Sequence, residues 1–379
     1  MRLVFWLAIA FVIYAYFGYP LALALVGALR PRPRPVRRGE VAGAVSLIIT
    51  AHNEEQRIRA KIANALAQTT GREPLEIIVA SDCSTDRTDE IVRSFAGSGV
   101  CLVRTEERRG KEHAQRRAVE ASQGSLLVFS DVGTMLPPDG VQQILKSFAD
   151  PSVGCVSSVD RLIDRNGKVS GEGAYVRYEM LLRRLETAAG SVVGLSGSFF
   201  AARREVCRDW PVDVPSDFST VLCSIRMGLR GISDSTTHGY YNDVGNNARE
   251  FERKVRTVVR GIAALAKNRQ MLNPLQYGLF AWQLWSHKVC RWLVPFFLAL
   301  AFASNAMLVG EPMYLALFVA QSAFYAMACL GIFLNRLERS RIVRIPAFVM
   351  LANASIVSAW YQYARGRRAT SWTPSERVG

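Results

Sequence analysis

Four stretches of this chain carry polar residues that could do chemistry, and three of them follow directly on apolar runs. Ala51-His52-Asn53-Glu54-Glu55 follows residues 45–50. Ser81-Asp82-Cys83-Ser84-Thr85-Asp86 follows residues 75–80. Ser130-Asp131-Val132-Gly133 follows the apolar run 126–129. The fourth stretch, Arg109-Gly110-Lys111, supplies a lysine. A carboxylate at the C-terminal end of a buried strand stands where open α/β sheets place their ligands, and it can hold a divalent cation or a ribose hydroxyl. Each acid taken alone also reads as the cap of a turn or helix. Asp131, for example, precedes the Pro137-Pro138 pair. Three acids at equivalent strand ends with a lysine nearby point further, to one crevice lined with carboxylates.

Elements able to position these residues are legible around them. Residues 45–50, 75–80, 100–104 and 125–130 are strand candidates, short and apolar enough to be covered on both faces. Helical spacing covers 52–68, with Ile58, Ile62 and Leu66 four apart. Helices are also expected over 89–95 and 111–122. Strands alternating with helices predict a mostly parallel, Rossmann-like sheet flanked by helices and joined by right-handed crossovers. No G-x-G-x-x-G follows the first strand and no P-loop is present, which argues against a nicotinamide cofactor and against P-loop hydrolysis. Further on, 154–159 reads as a strand, 172–186 as a helix, and 194–198 as a glycine-rich turn. Pro215-Ser216-Asp217-Phe218 opens a helix with Asp217 in its first turn, and 250–267 is a basic helix containing Lys254, Arg256 and Arg260. His238 lies between them and reads as a loop histidine or as a further metal contact.

The 379 residues are half hydrophobic and carry a net charge of +15. Apolar spans in a bilayer with arginines along its cytoplasmic face account for both facts. The basic clusters flank apolar runs instead of interleaving with aromatics, so nucleic acid is not the expected partner. Seven cysteines without C-x-x-C spacing argue against a disulfide framework or a zinc site, and for a reducing compartment. Residues 3–29 are uncharged and long enough to cross about 30 Å of hydrocarbon. The arginine- and proline-rich segment 31–44 then marks the cytoplasmic side, making residues 1–30 a signal anchor with its N-terminus outside. Residues 271–290 suit an interfacial helix, 291–335 a transmembrane hairpin, and 336–379 a basic loop, a membrane-associated helix and a basic tail. An interfacial or re-entrant path for 345–363 keeps that tail inside. The organisation expected is thus a multi-pass protein of the inner, cytoplasmic membrane, with a cytoplasmic domain at 45–270.

Taken together, these motifs resemble those of the family-two inverting glycosyltransferases, which have the A-type nucleotide-sugar fold. The resemblance covers roughly residues 45–261, with a similar membrane hairpin after it. It implies that Ala51, Asn53 and Glu54 contact the nucleotide, that Asp82 meets the nucleobase, and that Lys111 lies beside the diphosphate. It implies that Asp131 is the first acid of the D-x-D motif, binding Mg2+ or Mn2+ and the sugar nucleotide, and that Asp217 is the catalytic base. Arg256 and Arg260 match a Q/R-x-x-R-W segment near acceptor and diphosphate. Three departures stand out: Gly133 replaces the second acid of D-x-D, Ser216 replaces the acid before the base, and Gly261 replaces a tryptophan that processive synthases stack against their polymer. The implied activity is metal-dependent sugar transfer from a nucleotide sugar, a UDP-sugar in the first instance, to a lipid-linked or cell-surface glycan at the membrane, with membrane lipids as neighbours and oligomeric state open. A processive polysaccharide synthase and an inactive scaffold of the same fold are the alternatives.

Overall fold

The computed structural model describes residues 1–29, 37–41, 43–71, 74–163, 174–242, 247–333 and 341–367. The alternating Arg-Pro run, the basic loop at 334–340 and the tail from 368 lie outside the described residues. The chain divides into two compact units. One comprises Met1–Ala22, Asn246–Ala263 and Ala281–Arg368, and the other Leu23–Gly245, Ala264–Phe280 and Ala369–Gly379.

The second unit is built on a sheet of eight strands among the described residues: β1 Val45–Ala51, β2 Leu75–Ser81, β3 Val100–Arg104, β4 Leu126–Asp131, β5 Thr134–Met135, β6 Val153–Ile163, β7 Phe199–Arg203 and β8 Arg230–Asn242. Their order is β3-β2-β1-β4-β7-β6-β8-β5. The first four pair in parallel, joined through helices Ile58–Leu66, Thr88–Arg93 and Lys111–Ala121. All of β1 is buried, as a strand covered on both faces must be. Beyond β4 the sheet is mixed. β7 runs antiparallel to β4 and β6, β8 parallel to β6, and β5 antiparallel to β8. The expectation of parallel pairing therefore holds for the half that carries the three acidic strand ends. Phe129 stacks on Phe200, with ring centres 4.7 Å apart, and meets Trp210 at a tilt of 42°, 5.0 Å away, filling the layer beneath β4 and β7.

The first predicted helix is shorter than its periodicity suggested. It starts at Ile58 instead of residue 52. The backbone N–H groups of Asn53, Glu54 and Glu55 are taken by Ser84 Oγ, Thr88 Oγ1 and Asp86 Oδ2, which hold the first turn open. The buried face is Ile58, Lys61, Ile62 and Ala65. Leu66, expected inside, is exposed.

The other unit is helical. Among the described residues, four helical runs are long and apolar enough to cross a membrane: Arg2–Leu29, Pro274–Ala306, Pro312–Phe333 and Ile342–Ala364. Leu3, Phe17, Val319 and Phe333 stand exposed on them, as lipid-facing side chains would. Arg2 pairs with Glu311 at 2.7 Å, so the start of the first run and the turn before Pro312 share one end. Tyr14 ties the first run to the second by accepting from Trp282 Nε1 at 2.9 Å and sharing a hydrogen bond with Ser286 at 2.7 Å. The expected interfacial helix is continuous with the run that follows it, broken only by non-helical backbone at Gly278. Asn247–Lys267 is a single amphipathic helix whose buried stripe includes Val255, Val259 and Ile262, and its Lys254 ammonium lies 4.4 Å from the centre of the Phe348 ring.

Candidate active site

The sheet register brings the acidic strand ends together. Thr50 of β1 pairs with Asp131 of β4, and Ala51 with Ser81 of β2, so the first, second and fourth motifs open on the same edge. Asp82 then crosses to the next loop. Its backbone N–H donates to the Ala51 carbonyl at 2.9 Å. Its carboxylate accepts from the N–H of Arg109 at 3.1 Å and of Gly110 at 3.0 Å. Gly110 has φ +100, a backbone that side-chain-bearing residues avoid, and it caps the helix that begins with Lys111. Asp82 thereby fixes the loop that delivers Lys111.

Lys111 is buried, and its ammonium donates to Asp131 Oδ1 at 2.5 Å and to the Gly197 carbonyl at 2.9 Å. Gly197 in turn faces Asp217. A methyl group built on Gly197 would stand 2.9 Å from Asp217 Oδ2. Asp217 opens helix Ser216–Arg226, where the helix dipole favours a carboxylate. Its Oδ1 accepts from the Phe218 N–H at 2.8 Å. Among the described residues its Oδ2 accepts no hydrogen bond. Contacts therefore run from Asp82 through the 109–111 loop to Lys111, Asp131 and Gly197, and Asp217 stands beside Gly197.

Sequence reasoning missed what holds Gly197 in place. Asp160, near the end of β6, accepts from Ser196 Oγ at 2.5 Å and Ser198 Oγ at 2.8 Å. Arg183 donates to the Leu195 carbonyl at 3.3 Å. The 194–198 turn is thus clamped from both flanks. Its composition marked a turn, but nothing in the sequence linked Asp160 to it.

At the other end of the edge, Asn53 adopts φ +53 and Cys83 φ +52, and the Asn53 side chain exchanges hydrogen bonds with Thr85. Glu54 is buried and paired with Arg57 at 2.7 Å. Burial raises the Asp86 carboxyl, but hydrogen bonds from Thr88 and Glu55 outweigh it and hold the group below its usual range. His52 donates from Nδ1 to the Asp82 carbonyl at 2.7 Å. His238 lies within β8, not in a loop. It was placed in a loop because the Ser/Thr-rich stretch around it has no apolar run.

Among the described residues no group of three His, Cys, Asp or Glu side chains converges as a metal site. Asp131 offers one hard oxygen donor, and its side chain keeps 24% of its exposure. That suits a Mg2+ or Mn2+ ion held by one or two carboxylates together with substrate phosphates and water. It does not suit a cage made by protein alone.

Arg256 and Arg260 belong to the helical unit, on Asn247–Lys267. Burial, then the charges of Arg260 and Arg253, lower the Arg256 pKa. Gly261 follows on the same helix, and the Trp292 indole packs against it. A methyl group at 261 would stand 2.9 Å from that ring.

Comparison with known proteins adds a family. Residues 46–210 match the model described as glycosyl transferase family 2. Over 191 residues the chain is 22% identical to poly-beta-1,6-N-acetyl-D-glucosamine synthase of Staphylococcus epidermidis, covering 48% of this chain and 46% of that one. Over 174 residues it is 25% identical to hyaluronan synthase of Streptococcus pyogenes, covering 43% and 41%. The chain thus spans less than half the length of these relatives. Among solved structures, the mannosyltransferase PcManGT of Pyrobaculum calidifontis, in complex with GDP-Man and Mn2+, shares the fold. It has a TM-score of 0.73 and 24% identity, over 96% of this chain and 99% of that one.

Proposed function

On the premise that this chain carries a glycosyltransferase domain of family 2, we propose that it transfers a sugar from a nucleotide sugar to an acceptor hydroxyl, with inversion, at the cytoplasmic face of a membrane. The observation that carries the reading is that Lys111 binds both Asp131 and the Gly197 carbonyl while Asp217 Oδ2 stands beside Gly197, 2.9 Å from where a Cβ on it would lie.

In this reading Asp82 and the backbone around Ala51, Asn53 and Glu54 line the nucleotide end. Lys111 faces the diphosphate and adds positive potential to it; for Arg256 and Arg260, on the other unit, a role toward the diphosphate rests on the motif match alone. Asp131 would hold Mg2+ or Mn2+ with the diphosphate. The ion, when bound, offsets the negative charge that grows on the leaving nucleoside diphosphate. The bond between the sugar's anomeric carbon and the diphosphate oxygen breaks while one to the acceptor oxygen forms on the opposite face. Asp217 Oδ2 accepts the acceptor's proton. Such general-base assistance is worth about 10²–10⁴-fold in rate. The donor is a UDP-sugar in the first instance, with GDP-sugars as the other arm of the test. The acceptor is a lipid-linked or cell-envelope glycan, which is why residues 45–270 are tethered by apolar helices. Residues 345–363 lie along or partly in the inner leaflet, leaving the basic tail inside.

A second reading, processive polymer synthesis, is supported by the synthase relatives and by Trp292, whose indole fills the space beside Gly261. Membranes containing the chain, incubated with labelled UDP- and GDP-sugars, test both. One donor should label a product in a reaction abolished by EDTA. Short products favour single transfer, and long ones the second reading. No transfer from any donor, with no nucleotide binding by calorimetry, would overturn both.

A further inference from the structure

Lys61 is a lysine with no solvent exposure, set on the apolar face of helix Ile58–Leu66 between Ile58, Ile62 and Ala65. Burying an ammonium is costly unless it is fully engaged, and an apolar side chain of the same length would fill this space at lower cost. The ammonium is engaged at one place. It donates to Ser130 Oγ at 2.7 Å and to the Thr134 carbonyl at 2.5 Å. Ser130 directly precedes Asp131 at the end of β4, and Thr134 opens β5. One buried amine therefore grips both ends of the five-residue turn Ser130-Asp131-Val132-Gly133-Thr134. The turn is held from its flanks as well: the Asp131 N–H donates to the Ser198 carbonyl at 3.0 Å, Lys111 reaches the Asp131 carboxylate, and β5 pairs with β8. Gly133 brings no side chain, and the buried hydroxyls of Thr134 and of Thr50, the register partner of Asp131, find no partner among the described residues.

Resting on the reading of Asp131 as the residue that meets metal and diphosphate, we propose that Lys61 is a positioning residue for that end of the site: by clamping Ser130 and Thr134 from beneath, it fixes where the Asp131 carboxylate stands. The burial that lowers its amine to about 7 is opposed by the charge of Asp131, so the two groups are electrostatically coupled across the turn. Among the described residues no group of three ligating side chains surrounds Asp131, so the place of a bound cation leans on where that carboxylate stands. A displacement of about 1 Å at a reacting centre is worth about 10²-fold in rate.

The test uses the full chain in detergent. Mn2+ affinity is measured by electron paramagnetic resonance with saturating UDP or GDP, beside kcat and donor KM. Lys61→Met should weaken Mn2+ binding by about tenfold or more and lower kcat by about 10²-fold. Lys61→Arg, which keeps the charge and donors, should recover part of both. Ser130→Ala, which removes one arm of the grip, should lower kcat several-fold while the melting temperature stays near wild type. Wild-type Mn2+ affinity and kcat in a folded Lys61→Met protein would overturn the proposal. So would an Arg variant as impaired as the Met variant. If Lys61→Met does not fold, unchanged kcat and Mn2+ affinity in Ser130→Ala overturn it instead. Asp131→Asn is run in parallel. If it binds Mn2+ and nucleotide like wild type, the reading of Asp131 fails, separately from that of Lys61.

Discussion

A single methyl group added at Gly197 should separate the site's chemistry from its stability. Built on the present backbone, that methyl stands 2.9 Å from Asp217 Oδ2, 3.6 Å from Cγ and 3.9 Å from Cβ, whereas ordinary contacts begin at 3.4 Å. The carboxylate oxygen must retreat by about half an ångström, and it can do so cheaply because among the described residues Oδ2 has no hydrogen bond to lose. Gly197 does not have a positive φ, so alanine fits its backbone and restricts the unfolded chain, an effect of about 0.4–1 kcal/mol in favour of folding. Gly197→Ala should therefore melt within about 2–4 °C of wild type. Displacing the oxygen that takes the acceptor's proton should lower kcat by about 10- to 100-fold. The donor KM should hold, because the Lys111–Gly197 and Lys111–Asp131 contacts use the carbonyl and the other carboxylate. Initial rates with a labelled nucleotide sugar and saturating acceptor, beside a thermal melt, measure both. Unchanged kcat would refute the argument. So would a raised donor KM at constant kcat, since that result means the loop gives way and not the carboxylate.

Three further outcomes follow from other contacts. Gly110→Ala forces a side chain into φ +100 at the loop held by Asp82. It should cost about 1 kcal/mol of stability and raise the donor KM, read by thermal melts and kinetics. Because burial lowers the Lys61 amine to about 7, the unfolded chain holds a proton that the native one lacks from about pH 7 to its ordinary pKa near 10. Stability owed to this group thus rises with pH across that window, and the melting-temperature difference between wild type and Lys61→Met should shift in favour of wild type between pH 7 and 9. Parallel curves would count against it. Gly261→Ala drives a methyl to 2.9 Å from the Trp292 ring. If that indole guides a growing polymer, product length measured on sizing gels should fall, whereas single transfer predicts the same product at the same length.

The parallel half of the sheet was legible because β1, β2 and β4 are largely buried and read as plain apolar runs, and the half-exposed edge strand β3 is apolar enough to do the same. β1 to β4 start and end within a residue of expectation. The acids then followed, since the ends of parallel strands share an edge. In the second half β6 was legible at 154–159, but β7 and β8 were hidden for the opposite reason. β8 opens as a polar Arg-Gly-Ile-Ser-Asp-Ser-Thr-Thr segment made a strand by pairing with β6 and, at its far end, with β5, and β7 lies behind a glycine-rich turn. The buried residues of the first helix were misassigned by one position, Leu66 for Ala65, because four-residue spacing was followed where the helix also uses three. The same spacing puts Lys61 on the apolar face, and a lone lysine there was the available sign of its burial. Asp160 gave no comparable sign, as its link to Ser196 and Ser198 exists only once β6 and the 194–198 turn are side by side.

The most direct test of the account is Asp217→Asn, which keeps the shape of the side chain and removes its basicity. Calorimetry with Mn2+ and the nucleotide, alongside turnover of the labelled donor, should show wild-type nucleotide affinity and a kcat lower by about 10²–10⁴-fold. An asparagine variant that turns over at near the wild-type rate would contradict the assignment of Asp217 as the group that takes the acceptor's proton.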